Sequence, residues 1–144
     1  MPPSDCAEDR RRVEVLVAER RLEEAARALE PICESASATP RDWLIMGQLR
    51  LQLNQAAAAL DALERADAES PGQASSVNAL AHSLVSLGRA EEAYSHLQGQ
   101  IARTHGDPEL HFNLGYIGEQ LQRRDETCAH YSAAFYLDRG HFRA

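Results

Sequence analysis

Residues 40–73 read PRDWLIMGQLRLQLNQAAAALDALERADAESPGQ, and this stretch is one period of a repeat. Similar residues recur along the chain at steps of 34, in the columns Trp43, Val77 and His111; Gly47, Ala81 and Gly115; Ala59, Ala93 and Thr127; and Leu63, Leu97 and Tyr131. A fixed period of about 20–50 residues is typical of a solenoid, in which each repeat buries its apolar face only against its neighbours. The register therefore predicts one array over residues 1–144, with repeats at 40–73, 74–107 and 108–141 and a degenerate first repeat at about 6–39.

Each repeat is predicted to be two helices joined by a tight turn. Thr39 and Asp107 are placed as N-caps, because their side-chain oxygens accept hydrogen bonds from free backbone N–H groups. Asn54 and Gly88 follow the first helix of their repeats and tolerate a left-handed turn. The corresponding turn at 122–124 lacks glycine, so a less favourable residue must take that conformation. With no strand-like alternation, the sequence predicts an all-α chain of about eight helices.

Composition and charge narrow the class of partner. The formal net charge is −7, and all 15 basic residues are arginine, which we attribute to a GC-rich bacterial genome. Nucleic acid is excluded as the main partner, because phosphate binding needs a basic stripe. The single basic cluster, Arg10 to Arg12, is flanked by acidic residues and is predicted to form i,i+4 pairs along its helix.

The cysteines and the termini predict the compartment. Cys6, Cys33 and Cys128 show no CxxC spacing, so we expect reduced thiols, with Cys33 and Cys128 as small core residues. No apolar run is long enough to cross a membrane, and residues 1–12 lack the hydrophobic segment of a signal peptide. We therefore expect a cytoplasmic protein with no membrane partner, given either as a whole protein or as a fragment of one.

No residue pattern points to chemistry. The six histidines lack the spacing of metal ligands, and no motif of a nucleophile elbow, a phosphate loop or a zinc protease occurs. The sequence therefore predicts that the protein is not an enzyme and uses no metal or cofactor.

The repeat itself resembles a known family. The segment Trp43 to Gly47, with the later Ala59, Ala66 and Pro71, resembles the tetratricopeptide repeat, a 34-residue helix–turn–helix with a W-x2-L-G pattern, a later alanine and a closing proline. The resemblance covers about residues 6–141 and implies a right-handed α-solenoid, or superhelix. Small residues such as Gly47 are expected to let the helices touch. Arg50 and Gly118 stand where bulky apolar residues are typical, and we expect them to loosen the local packing.

The resemblance also implies a binding surface. In this family the first helix of each repeat lines a concave groove that holds a peptide or a partner domain. The corresponding positions are Arg41, Leu44, Gln48, Asn78, His82, Phe112, Asn113, Tyr116 and Gln120. Phe112 and Tyr116 lie one turn apart, either as an aromatic anchor for a ligand or as filling between helices. His82 is either a ligand contact or a partly exposed structural histidine.

These observations predict a non-catalytic scaffold that binds a peptide or a partner protein in its groove. A clamp for a chaperone carboxylate tail is not expected, because the matching positions carry too few cations. Two alternatives stay open. One is the N-terminal substrate-recruiting module of a larger bacterial enzyme, similar to a glycosyltransferase or a sulfotransferase. The other is an assembly or secretion chaperone.

The last predicted helix carries apolar residues with no following repeat in this sequence to cover them. Phe135, Leu137 and Phe142 are expected on one open surface. Leaving such side chains in water forgoes about 1.5–3 kcal/mol each. We therefore expect either self-association through this end or coverage by the continuation of a longer chain.

Overall fold

The computed structural model describes the backbone of residues 3–101, 103 and 107–142, and the side chains of 6–101, 103 and 107–138. The described residues form eight helices and no strand: α1 (Pro3–Ala18), α2 (Leu22–Glu34), α3 (Pro40–Gln52), α4 (Ala56–Glu69), α5 (Ala74–Ser86), α6 (Ala90–Ile101), α7 (Pro108–Gln120) and α8 (Arg124–Phe142). The predicted all-α class is confirmed. None of these helices has the length and apolar character needed to cross a lipid bilayer.

The turns inside the repeats keep the 34-residue step. A left-handed backbone occurs at Arg20, Asn54, Gly88 and Gln122, with φ values of 63°, 60°, 77° and 60°. The predictions for Asn54 and Gly88 are confirmed, and Gln122 is the non-glycine residue forced into this conformation. Such a residue costs of order 1 kcal/mol relative to an unstrained backbone. Arg20 shows that the degenerate first repeat makes the same turn in the same register.

The chain divides into two compact bodies. The N-terminal body, up to Pro71, contains α1 to α4, and the C-terminal body, from Gly72 onward, contains α5 to α8. The assignment of residues 1–144 to a single array stays a prediction.

In the N-terminal body, a capping box begins α3. The Thr39 hydroxyl accepts from the Asp42 backbone N–H at 3.3 Å, and the Asp42 carboxylate accepts from the Thr39 backbone N–H at 2.9 Å. The same carboxylate accepts two hydrogen bonds from Arg10, at 3.0 and 2.8 Å. The predicted i,i+4 pairing is therefore wrong for Arg10, which instead ties α1 to the start of α3.

Close approach of α3 and α4 requires the glycine between them. A Cβ atom on Gly47 would lie 2.5 Å from Cδ2 of Leu63, so the predicted role of a small residue here is confirmed. Arg50 does not loosen the packing, because its guanidinium donates to Glu30 and to Gln55, each at 2.6 Å, and joins α2 to α3. The core around these helices buries both aliphatic side chains and the Cys33 thiol, which confirms that residue as a core filler.

The C-terminal body repeats the pattern with an aromatic partner. A Cβ atom on Gly115 would lie 2.7 Å from Cδ1 of Tyr131. Gly118 is also closely packed, since its Cβ would lie 2.9 Å from Oγ1 of Thr127, so the expected loosening is wrong there. Cys128 is exposed, so the prediction that it is a small core residue is wrong.

Candidate binding site

In the N-terminal body, α1 and α3 enclose a cleft of about 450 Å³. Its apolar lining consists of Val13, Val17, Leu29 and Ile45, and its polar lining of Arg10, Glu14, Thr39, Arg41, Asp42 and Gln48. Helical spacing explains the arrangement, since residues three and four apart share one face of a helix. On each of these two helices, the side chains that line the cleft therefore lie along one face of the helix, and this face carries both apolar and polar residues.

Of the charged side chains around the cleft, Arg10 and Asp42 form an ion pair with each other. Burial pushes the pKa of the Asp42 carboxyl upward, but the hydrogen bonds from Arg10 and Thr39 outweigh burial and hold this pKa below its ordinary value. Arg10 also donates to the Ser37 carbonyl at 2.8 Å, so its Nε and Nη2 groups are both engaged. Arg41 and Glu14 are exposed, and Arg41 forms no ion pair with any side chain that the structure describes.

The structure brings two of the residues predicted on α3 to this cleft and leaves out the third. Arg41 and Gln48 line the cleft, whereas the half-buried Leu44 is not among its lining residues. The wall formed by α1 was not predicted as part of the site. The available signal was the i,i+4 spacing of Val13 and Val17 within a repeat that otherwise matches poorly.

In the C-terminal body, two predicted binding residues contact each other. The Asn113 amide donates to Oδ1 of Asn78 at 2.8 Å, and the two side chains are only 9 % and 5 % exposed. This bond joins α7 to α5. His82 and Tyr116 are exposed and line a crevice with Asn113, but its volume of about 10 Å³ holds one water molecule at most.

The aromatic and terminal residues of α7 remain accessible. Phe112 is 55 % exposed, and its ring centroid lies 5.6 Å from that of Tyr131 on α8. Gln120 is exposed at the end of α7. The predicted end surface is partly described. Phe135 is 57 % exposed and Leu137 is half-buried, whereas the side chain of Phe142, the last residue of α8, lies outside the described residues.

A cluster of titratable side chains packs α8 against α6 and α7. The Tyr94 hydroxyl donates to Glu126 at 2.5 Å and lies 3.2 Å from Nε2 of His130. The His111 ring centroid is 5.9 Å from that of His130. Burial, and then repulsion from His111, lower the pKa of His130, with Glu126 acting in the opposite direction. No three His, Cys, Asp or Glu side chains of the described residues are arranged to hold a metal ion.

The helical repeats and the cleft lined by first helices define a helical-repeat protein. A family model described as "Tetratricopeptide repeat" matches residues 50–114, which confirms the resemblance. The match is limited to residues 50–114 of the 144-residue chain. Comparison with curated proteins gave no match.

Solved structures extend the similarity of fold to nearly the whole chain. A crystal structure of MamA is 18% identical with a TM-score of 0.89, covering 99% of this chain and 83% of that one. YrrB, "a TPR protein with an unusual peptide-binding site", is 18% identical with a TM-score of 0.79, covering 90% and 67%. TTC0263, a thermophilic TPR protein of Thermus thermophilus, is 21% identical with a TM-score of 0.76, covering 92% and 74%. The helical solenoid class is therefore confirmed, and the similarity concerns the fold alone.

Proposed function

We propose that this protein is a non-catalytic interaction module that binds a peptide, or an exposed segment of a partner protein, in the cleft between α1 and α3. The observation that carries the proposal is the cleft itself. Its volume of about 450 Å³ falls in the range of about 300–1,000 Å³ typical of ligand sites. It also combines an apolar lining with polar side chains, as such sites do.

The lining indicates what the bound segment contains. The half-buried Val17 and Ile45, which lie over the buried Val13, offer an apolar surface for one aliphatic or aromatic anchor side chain. The exposed Gln48 amide has both a donor and an acceptor for a peptide backbone. Arg41 is the cation available to a carboxylate of the ligand. The second cation, Arg10, is neutralised by Asp42, which supports the prediction that a multi-cation clamp for a carboxylate tail does not form here.

The predicted binding residues of the C-terminal body have two different roles, either to contact the partner or to support the surface that does. Phe112, Tyr116 and His82 are exposed and accessible to a partner, as is the end of α7 around Gln120. Asn78 and Asn113 support the surface by bonding to each other. YrrB is a TPR protein with an unusual peptide-binding site, and we extend this kind of ligand to the present chain.

The net charge and the resemblance also bear on the kind of partner and on the compartment. The net charge of −7 favours a protein partner over nucleic acid, and we place the protein in the cytoplasm without a membrane partner. The two alternatives, a recruiting module of a larger enzyme and an assembly chaperone, rest on the resemblance alone. The length of the native open reading frame separates the first of them from a free-standing adaptor.

A phage-displayed library of random peptides, selected on the intact protein, tests the site. Selected peptides are expected to share one large apolar residue and to lose about tenfold or more in affinity for the Arg41→Glu/Gln48→Glu variant. The matched control is Arg27→Glu/Gln52→Glu, which makes the same charge change at exposed positions of α2 and α3 that do not line the cleft. Equal affinity for both variants would place the binding site elsewhere. A Phe112→Ala/Tyr116→Ala variant then reports whether the C-terminal body contributes.

A further inference from the structure

The two first helices of the N-terminal body stand further apart than those of the C-terminal body. Cα atoms of α5 and α7 approach within 8 Å of each other, and the short Asn113–Asn78 bond joins these helices. No described residues of α1 and α3 come that close. Their link is the Arg10–Asp42 ion pair, in which the long arginine side chain spans the wider gap. The gap exposes a cleft at whose floor lies the buried Leu29 of α2.

Three side chains of α3 face the cleft in a fixed order. Arg41, Ile45 and Gln48 are spaced i, i+4 and i+7, so they share one face of the helix. With a rise of about 1.5 Å per residue, Ile45 lies about 6 Å beyond Arg41 along the helix axis, and Gln48 lies about 10 Å beyond it. Arg41 and Gln48 are exposed, and Ile45 is half-buried. Along α3 a ligand therefore meets a cation, then an apolar side chain, then an amide.

The α1 wall presents its charges at matching levels, because α1 and α3 are both first helices and run in the same direction. Arg10 lies opposite the start of α3, where Asp42 neutralises its charge. Glu14 is exposed one turn further on, at the level of the apolar lining. A carboxylate of a ligand is therefore attracted to Arg41 at the start of the cleft and repelled by Glu14 beside its apolar part.

The size of the cleft favours an extended segment over a helix. A helix is about 10 Å across, so a helical segment as long as the distance from Arg41 to Gln48 would occupy about 800 Å³. The cleft measures about 450 Å³. An extended chain also leaves its backbone N–H and C=O groups free to bond to the Gln48 amide, whereas a helix uses them internally. In an extended chain, residues i and i+2 point to the same side about 6.6 Å apart, which matches the rise from Arg41 to Ile45.

We propose that the cleft recognises an extended segment in which an aspartate or glutamate stands two residues from a large apolar residue. This inference rests on the proposed function and adds to it the sequence that the ligand requires. The side-chain carboxylate pairs with Arg41, the apolar side chain packs on Val17 and Ile45, and the backbone bonds to Gln48. The residue between the acidic and the apolar one points away from the cleft and is not selected.

Capped peptides of glycine and serine test the spacing. Each contains one phenylalanine and one glutamate, placed one, two, three or four residues away on either side, and a reference peptide has no glutamate. Each peptide is titrated into the isotope-labelled intact protein, and NMR shifts of the backbone amides of α1 and α3 measure the affinity and locate the binding. A glutamate two residues away, on one of the two sides, should bind about two- to fivefold more tightly than the reference, as expected of an exposed ion pair.

The other outcomes of this titration separate the ligand requirement from the site. Equal affinity for all peptides, with shifts still confined to α1 and α3, would overturn the acidic requirement and leave the cleft as the binding site. An optimum at four residues would overturn the extended conformation and assign the cleft to a helix. Tighter binding of a peptide that ends in phenylalanine with a free carboxylate would assign Arg41 to a chain terminus. If no peptide shifts these amides, the proposed function fails as well.

Charge reversal at Arg41 tests the pairing itself. Arg41→Glu should prefer a peptide with lysine in place of the glutamate, by about two- to fivefold. Arg27→Glu makes the same change at an exposed position of α2 outside the cleft and should keep the preference of the wild type. Damage to the fold weakens all peptides alike and does not reverse a preference. An unreversed preference in Arg41→Glu would overturn the assignment of the ligand carboxylate to this residue.

Discussion

Replacing the buried Asp42 with alanine should strongly destabilise the N-terminal body. The side chain is 3 % exposed and accepts hydrogen bonds from the Arg10 guanidinium at 3.0 and 2.8 Å and from the Thr39 backbone at 2.9 Å. The substitution removes the side-chain half of the capping box that Asp42 supplies. It also removes the Arg10–Asp42 ion pair, which among the described contacts is the only ion pair between α1 and the start of α3.

The expected magnitude follows from these contacts. Loss of a helix-capping interaction costs about 1 kcal/mol, and a hydrogen bond to a charged group contributes about 1.5–3 kcal/mol. The Arg10 side chain is 32 % exposed, so its guanidinium regains water in the variant, and the lower end of the second range applies. We therefore expect a loss of about 2–3 kcal/mol in the free energy of unfolding.

Urea denaturation followed by tryptophan fluorescence measures this loss. Trp43 is the single tryptophan and lies next to Asp42, so its emission reports on the N-terminal body. A loss of this size shifts the urea midpoint by about 1–2 M. Asp61→Ala, at an exposed position of α4, is the control and should change the free energy by less than about 0.5 kcal/mol.

A double-mutant cycle with Arg10→Ala isolates the ion pair. We expect a coupling of about 1 kcal/mol or more between the two substitutions. The pKa of Asp42 is lowered in the folded state, so its contribution is complete above about pH 4 and is lost as the pH falls further. A coupling near zero, or equal destabilisation by Asp42→Ala and Asp61→Ala, would refute the role assigned to this carboxylate.

Two further predictions concern the C-terminal body. Gly115→Ala should destabilise it by about 1–3 kcal/mol in thermal unfolding, because the new Cβ would lie 2.7 Å from the Tyr131 ring. Gly99→Ala, with no atom within 4 Å of its Cβ, should be neutral or stabilising, and equal losses would contradict the close-packing argument. Because burial and a neighbouring histidine lower the pKa of His130 in the folded state, its contribution is complete above about pH 6.5 and is lost as the pH falls through the folded-state pKa. The melting temperature should therefore drop less between pH 7.5 and 5.5 in His130→Gln than in the wild type. The control His82→Gln should behave as the wild type does. Identical drops in all three proteins would show that the cluster around His130 does not cause the loss of stability at low pH.

Features that depend on position along the chain were predictable from the sequence. The 34-residue step placed the helices, and the left-handed turns at Asn54 and Gly88 followed from residue types that tolerate that conformation. The small residue at Gly47 was predicted from its column, and the structure shows Leu63 filling the space that a side chain there would take. Such features repeat because equivalent residues in a repeat meet equivalent neighbours.

The candidate site was only partly predictable. Arg41 and Gln48 were expected in a groove and do line the cleft, but its α1 wall was hidden in a repeat that matches the family pattern poorly. Asn78 and Asn113 were both assigned to a ligand, yet they bond to each other at a separation of 35 residues, one more than the repeat. A column comparison misses such a pair, because it aligns equivalent positions rather than opposing ones.

The sequence by itself determined the repeat length, the two helices of each repeat, the turn positions and the absence of any recognisable catalytic motif. These follow from spacing, capping and backbone conformation, which are properties of neighbouring residues along the chain. Only the tertiary structure decided that Arg10 is held by Asp42, that Cys128 is exposed while Cys33 is buried, and that the Phe112 ring contacts the Tyr131 ring. The physical reason is that burial depends on which helix packs opposite a residue, and the same column is covered in one repeat and open in the last.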